Sequence, residues 1–147
     1  GNPGTDPPHL PAREVAPAAG PGEFFCPGSS VRLELDSAHP LAFGMPASTS
    51  AFFAYSAAYD AAVPASSTGH TGPADVQPLE IVGPYPHRDV LQSGWLEGER
   101  VIAGRAAVLS ARVGLGRAVL IGFRAQHRAQ SHATFRLLFN AIHTSAR

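Results

Sequence analysis

The chain has 147 residues, with 11 basic and 11 acidic side chains, a formal net charge of zero and a pI near 7.2. That is the length of one domain, and its neutral balance excludes the basic footprint by which proteins hold nucleic acid or anionic membranes. One cysteine, Cys26, excludes an intrachain disulfide framework, and no stretch approaches the ~20 apolar residues of a membrane-spanning helix.

All the basic residues are arginine, which with abundant Ala, Gly and Pro reads as genomic base-composition bias. The 15 glycines and 14 prolines point to long loops. Residues 1–22, rich in Pro, Gly and Ala and without periodicity, read as a linker or extended arm. They carry no charged segment followed by an apolar one, so they do not read as a signal peptide. With no initiator Met, the chain reads as processed or cut from something longer. Residues 23–147 form the expected domain. Within it, EFFCPG (Glu23–Gly28) is a short apolar segment closed by a Pro-Gly turn. VRLEL (Val31–Leu35) alternates strictly, with Val31, Leu33 and Leu35 on one face, which predicts a half-buried strand. After a turn-rich connection, SAFFAY (Ser50–Tyr55) predicts a second strand.

Residues 64–75 read as a loop, and Val76–Val82 as a strand that Pro78 confines to an edge. Asp89–Gly104 contains the one Trp and leaves a helical turn and a short strand equally open. Ala106–Val113 and Arg117–Phe123 flank Gly-Leu-Gly, a hairpin signal because Gly supplies the positive φ of a tight turn. Ser131 is placed to cap a closing helix in which Phe135, Leu138, Phe139 and Ile142 recur at i, i+3, i+4 and i+7, an apolar stripe expected to face the core. The fold expectation is α/β, a mixed sheet covered by at least that helix.

Chemistry in open α/β sheets gathers where a strand hands over to a helix. Here the handover holds Arg124, Gln126, His127, Arg128, Gln130 and His132. Guanidiniums and imidazoles beside a helix N-terminus could hold a carboxylate or phosphate; the plainer reading is that they satisfy loop carbonyls or dock against another domain. No nucleophile is paired with a base, so the cluster names no reaction and no catalytic residue is assigned. His127 and His132 are five apart, wrong for one face of a helix, and His39, His70 and His87 are scattered in loops, so no metal site is assigned. Cys26 has Pro27 after it, which cannot donate an N–H to an oxyanion hole, and reads as buried and inert. Ser29, Ser30 and Ser131 lack any support as nucleophiles. Gly114-Leu115-Gly116-Arg117 is too short to cradle a phosphate, and Glu97 and Glu99 beside Trp95 read as exposed loop acids.

Three blocks, PGSSVRLELDSAHPLAFGMP, SGWLEGERVIAGRAAVLSARVGLGRAVLIGF and FRAQHRAQSHATFRLLFNAIH, resemble the C-terminal region of bacterial zinc carboxypeptidase-like proteins. In that group a metallopeptidase domain is followed by a flavodoxin-like domain of the class I glutamine amidotransferase type. The resemblance covers roughly residues 23–143. It implies a partial flavodoxin-like module, the back portion of a larger domain, ending in a β-hairpin and an amphipathic helix. The family's zinc ligands and general-base Glu belong to the peptidase domain and match no position here, so the cofactor implied is zinc in the parent and none in this segment. The amidotransferase nucleophile elbow is also absent. The function implied is that of a non-catalytic accessory domain whose partner is the upstream peptidase domain or the module's own missing front half, with an exposed apolar face or self-association when alone. A secreted or periplasmic address accords with the resemblance. Two other readings stay open: a stand-alone hydrolase or amidotransferase-like enzyme built on Cys26 or on His127 and His132, and a binding module for anionic small molecules or peptide carboxylates.

Overall fold

The structure, a computed structural model, describes residues 10, 12–16, 19, 20, 22–61 and 79–145. Among these residues eight strands and one helix follow one another as β1 (Ala12–Glu14), β2 (Ser29–Glu34), β3 (Ser48–Phe53), β4 (Tyr59–Ala61), β5 (Glu80–Pro84), β6 (Leu91–Ser93), β7 (Ala106–Val113), β8 (Gly116–Ile121) and α1 (His132–Ser145), with 3₁₀ turns at Pro40–Ala42 and Glu99–Val101. They build two sheets. In the larger, β7 is the centre, flanked by β5 on one side and paired on the other directly with β8 along Val108–Val113 and with β4 at Ala106, with β1 outside β4; the smaller runs β3-β2-β6. Every strand pairing among the described residues is antiparallel. The architecture is therefore a mixed α/β one with antiparallel sheets and a C-terminal helix, where one mixed sheet was expected.

The alternation in VRLEL has the expected effect. Val31 and Leu33 are fully buried, while Ser30, Arg32 and Glu34 occupy the other face of β2. In register with them, β3 turns Ala51 and Phe53 inward and Ser48, Ser50 and Phe52 outward. Phe53 then meets Tyr85 edge-to-face, ring centroids 5.9 Å apart, and Phe24 at 5.7 Å. Val82, Val108, Ile102 and Leu41 complete the core. The strand expected over Val76–Val82 is found as Glu80–Pro84, at the edge of the larger sheet among the described residues; residues 76–78 lie outside those described, as do the loop residues 64–75 with His70. This strand comes so near β2 that a Cβ on Gly83 would lie 2.9 Å from the Glu34 carbonyl oxygen.

The undecided segment 89–104 holds both alternatives, the strand β6 and a 3₁₀ turn. Part of the expected N-terminal arm is also a strand, since β1 pairs with β4 through Ala12↔Ala61, Arg13↔Asp60 and Glu14↔Tyr59. The β7–β8 hairpin forms as read, its turn carried by Gly114 at φ 57°.

The closing helix departs from expectation in its rotation. Its buried side chains are Thr134, Leu137 and Ala141. The stripe Phe135, Leu138, Phe139 and Ile142 lies roughly 120° around the helix from them, with Phe139 65% and Ile142 61% exposed. Polar tethers fix this rotation. Thr134 Oγ1 donates to the Ala125 carbonyl (2.8 Å), and Asn140 Nδ2 donates to the carbonyls of Leu41 (2.9 Å) and Phe43 (3.0 Å). A buried carbonyl left without a donor costs about 1–3 kcal/mol, the same order as burying one stripe residue, and the Ala125 carbonyl is such a group.

Candidate functional site

Phe123, Ala125 and Gly122 are buried, and they anchor the loop that joins β8 to α1. Arg124 extends it over the smaller sheet, its N–H donating to the Phe52 carbonyl at 3.1 Å. The chain then reverses through His127-Arg128-Ala129-Gln130, closed by the Gln130 N–H on the His127 carbonyl (2.8 Å). Arg128 and Ala129 have φ of 49° and 55°. Positive φ at both central positions is the mark of a type I′ turn, which glycine or asparagine ordinarily fills. Without them the turn is strained, and Ala129→Gly is expected to stabilise the chain by about 1 kcal/mol, read as a rise in melting temperature of roughly 2–4 °C.

The reversal encloses a pocket of about 350 Å³ against the outer face of β2 and β3. His127, Gln130, Ser131 and His132 line it from the loop and the helix start, and Ser30, Ser50 and Phe52 from the sheet. The His127 ring stacks on Phe52, centroids 4.4 Å apart and planes 29° from parallel. His132 Nε2 donates to the Ala129 carbonyl at 2.6 Å, and its ring lies on Phe135 at 5.3 Å. On the sheet, the hydroxyls of Ser30 (3.3 Å) and Ser50 both donate to Gln92 Oε1. At the start of α1 the Ser131 carbonyl, not the expected hydroxyl, takes the bonds shown, accepting from the backbone N–H (3.2 Å) and Oγ1 (3.1 Å) of Thr134.

Of the six residues singled out in the sequence, the pocket takes His127, Gln130 and His132; Arg124, Gln126 and Arg128 are exposed and stand outside its lining. Sequence reasoning missed Ser30, Ser50 and Phe52 as lining. The signal was present in strand alternation, because each is the outward neighbour of a buried residue, Val31, Ala51 or Phe53.

The other chemically capable groups serve the fold. Burial pushes the Cys26 thiol up, a contact with Ser29 opposes it weakly, and Sγ faces the Phe53 carbonyl at 3.8 Å. A thiol in that state is a poor nucleophile. Glu97 accepts from Trp95 Nε1 (3.1 Å) and Glu99 from the Val90 N–H (3.2 Å), so the two acids act apart. His39 accepts the Leu41 N–H on Nδ1 (3.1 Å), which leaves Nε2 to donate to Glu80 (3.2 Å). That bond, with Arg117 beside it, holds the Glu80 carboxyl below its usual range. Among the described residues no three His, Cys, Asp or Glu side chains come together as metal ligands. No helix among them is long and apolar enough to cross a membrane.

No family model, no curated protein and no solved structure matches the chain.

Proposed function

We propose that the chain is a non-catalytic accessory domain of a zinc metallocarboxypeptidase-like protein, and that it docks on the peptidase domain through the outer face of α1. The observation that carries this reading is the rotation of the helix. Polar tethers on its inner side hold Leu138, Phe139 and Ile142 outward, and Phe139 shares a surface hollow with Phe43, itself 73% exposed. Large apolar side chains grouped on one surface are the ordinary mark of an interface. Their positions fall within the third of the three blocks that resemble the peptidase group, and Phe43 within the first. In this reading zinc and the general base reside in the peptidase domain, and this chain contributes surface.

The test is co-expression of the chain with a peptidase domain of the resembled group, comparing wild type with Phe139→Asp/Ile142→Asp. Both residues are exposed, so the double variant keeps its fold by circular dichroism. The expected result is a complex that the double variant weakens at least about tenfold, as loss of an interface anchor does. Equal affinity for both forms, or wild-type chains that pair only with each other, would overturn the proposal.

A further inference from the structure

We propose that the pocket between the His127–Gln130 turn and the outer face of β2 and β3 binds a small carboxylate bearing a planar aromatic group. The inference concerns a different surface from α1's outer face and does not depend on docking.

Size comes first. About 350 Å³ is at the small end of ligand pockets and suits a metabolite-sized molecule rather than a protein segment. Shape comes second. The Phe52 and His127 rings are stacked, and they form an aromatic wall with Ala51 and Ala133 beside it. A flat apolar group gains most against such a wall, by offset stacking or edge contact.

Charge decides the rest. No acidic side chain lines the pocket. Outside the lining, three arginines adjoin lining residues in the chain or the sheet: Arg32 is the cross-strand partner of Ser50, Arg124 pairs with Phe52 through its backbone, and Arg128 follows His127 in the turn. None of the three is in a salt bridge among the described residues. Glu34 shares this face of β2 but stands four residues from Ser30, roughly 13 Å along the strand. Within the lining, the Gln130 amide, the Ser131 hydroxyl and His127 supply hydrogen-bond donors. Donors within a lining that holds no acid favour a carboxylate, and the aromatic pair favours one that carries a ring.

The probe is hippurate, an aromatic carboxylate, titrated into the full chain by calorimetry. Acetate supplies the carboxylate without the ring, and benzamide the ring without the charge. The expected result is saturable binding of hippurate near or below about 1 mM, with acetate and benzamide at least about tenfold weaker. Ser50→Glu sets an acid at an exposed lining position and is expected to abolish binding while the chain stays folded. His127→Ala removes half of the stacked wall and should cost about tenfold. Absence of saturable hippurate binding, acetate or benzamide binding equally well, or Ser50→Glu retaining wild-type affinity would each overturn the proposal. Any of these results leaves the docking face untouched, since Phe139 and Ile142 take no part in the measurement.

Discussion

Gly122→Ala is expected to destabilise the chain by about 3–5 kcal/mol, from overpacking together with loss of backbone hydrogen bonds. Gly122 sits where β8 ends and β4 takes its place beside β7. Its N–H donates to the Ala107 carbonyl at 2.8 Å, and its own carbonyl accepts from the Ala57 N–H. A Cβ there would lie 2.4 Å from the Ala57 oxygen, 3.1 Å from the Ala57 carbonyl carbon and 3.2 Å from the Ala107 oxygen. All three are backbone atoms of paired segments, so none can swing aside as a side chain would. Relief requires the β4 segment to move off β7, which breaks the hydrogen bonds that hold it. Because the whole stability of such a domain is about 5–15 kcal/mol, the loss should appear as a melting temperature lower by roughly 10 °C or more. Gly116→Ala is the control. Its Cβ would meet the Val113 oxygen at 3.6 Å, ordinary contact, and the melt should barely move. Equal melting of the two variants would refute the argument.

Tyr85 bears on the same junction from the core. It is fully buried, rests edge-on against Phe53, and its hydroxyl donates to the Ala57 carbonyl at 3.1 Å. Tyr85→Ala should cost about 3–5 kcal/mol, as other large aromatic truncations do. Tyr85→Phe keeps the ring but leaves the Ala57 oxygen without this donor, and should cost about 1–3 kcal/mol. The phenol also sets a pH limit. Burial pushes its ionisation far above the ordinary tyrosine range, with smaller contributions from Tyr59 and Cys26. A raised pKa in the folded state means that stability is fully present below the unfolded value, about 10, and declines as pH rises beyond it, because only the unfolded chain readily releases that proton. Urea melts across the alkaline range should therefore show a steeper loss for wild type than for Tyr85→Phe. Parallel alkaline limbs in the two proteins would count against this assignment.

Local pattern made much of the fold legible. Alternation placed Val31 and Leu33 inside, and the Gly-Leu-Gly turn placed β7 and β8, with β7 at the bounds expected. What pattern could not supply was tertiary. The strands β1 and β4 are three residues each, too short for alternation to register, and they exist only because they pair with one another and with β7. The rotation of α1 was misjudged because the apolar stripe is the louder signal, whereas Thr134 and Asn140 bond to carbonyls nine and almost a hundred residues away. The candidate site was half legible for a related reason. The Arg/His loop stands out in composition, but the serines that oppose it are outward strand positions, unremarkable until the loop is folded over them.

The tie from Asn140 to Leu41 and Phe43 sets an order on biosynthesis. While the chain emerges from a ribosome, β2 and β3 can pair at once, being neighbours. The 3₁₀ turn between them must wait with Leu41 uncovered until the final helix has been translated. Loop closure over that distance is slow compared with local pairing, so a nascent chain halted before Thr134 would present an open greasy edge to chaperones or to its neighbours on the same messenger.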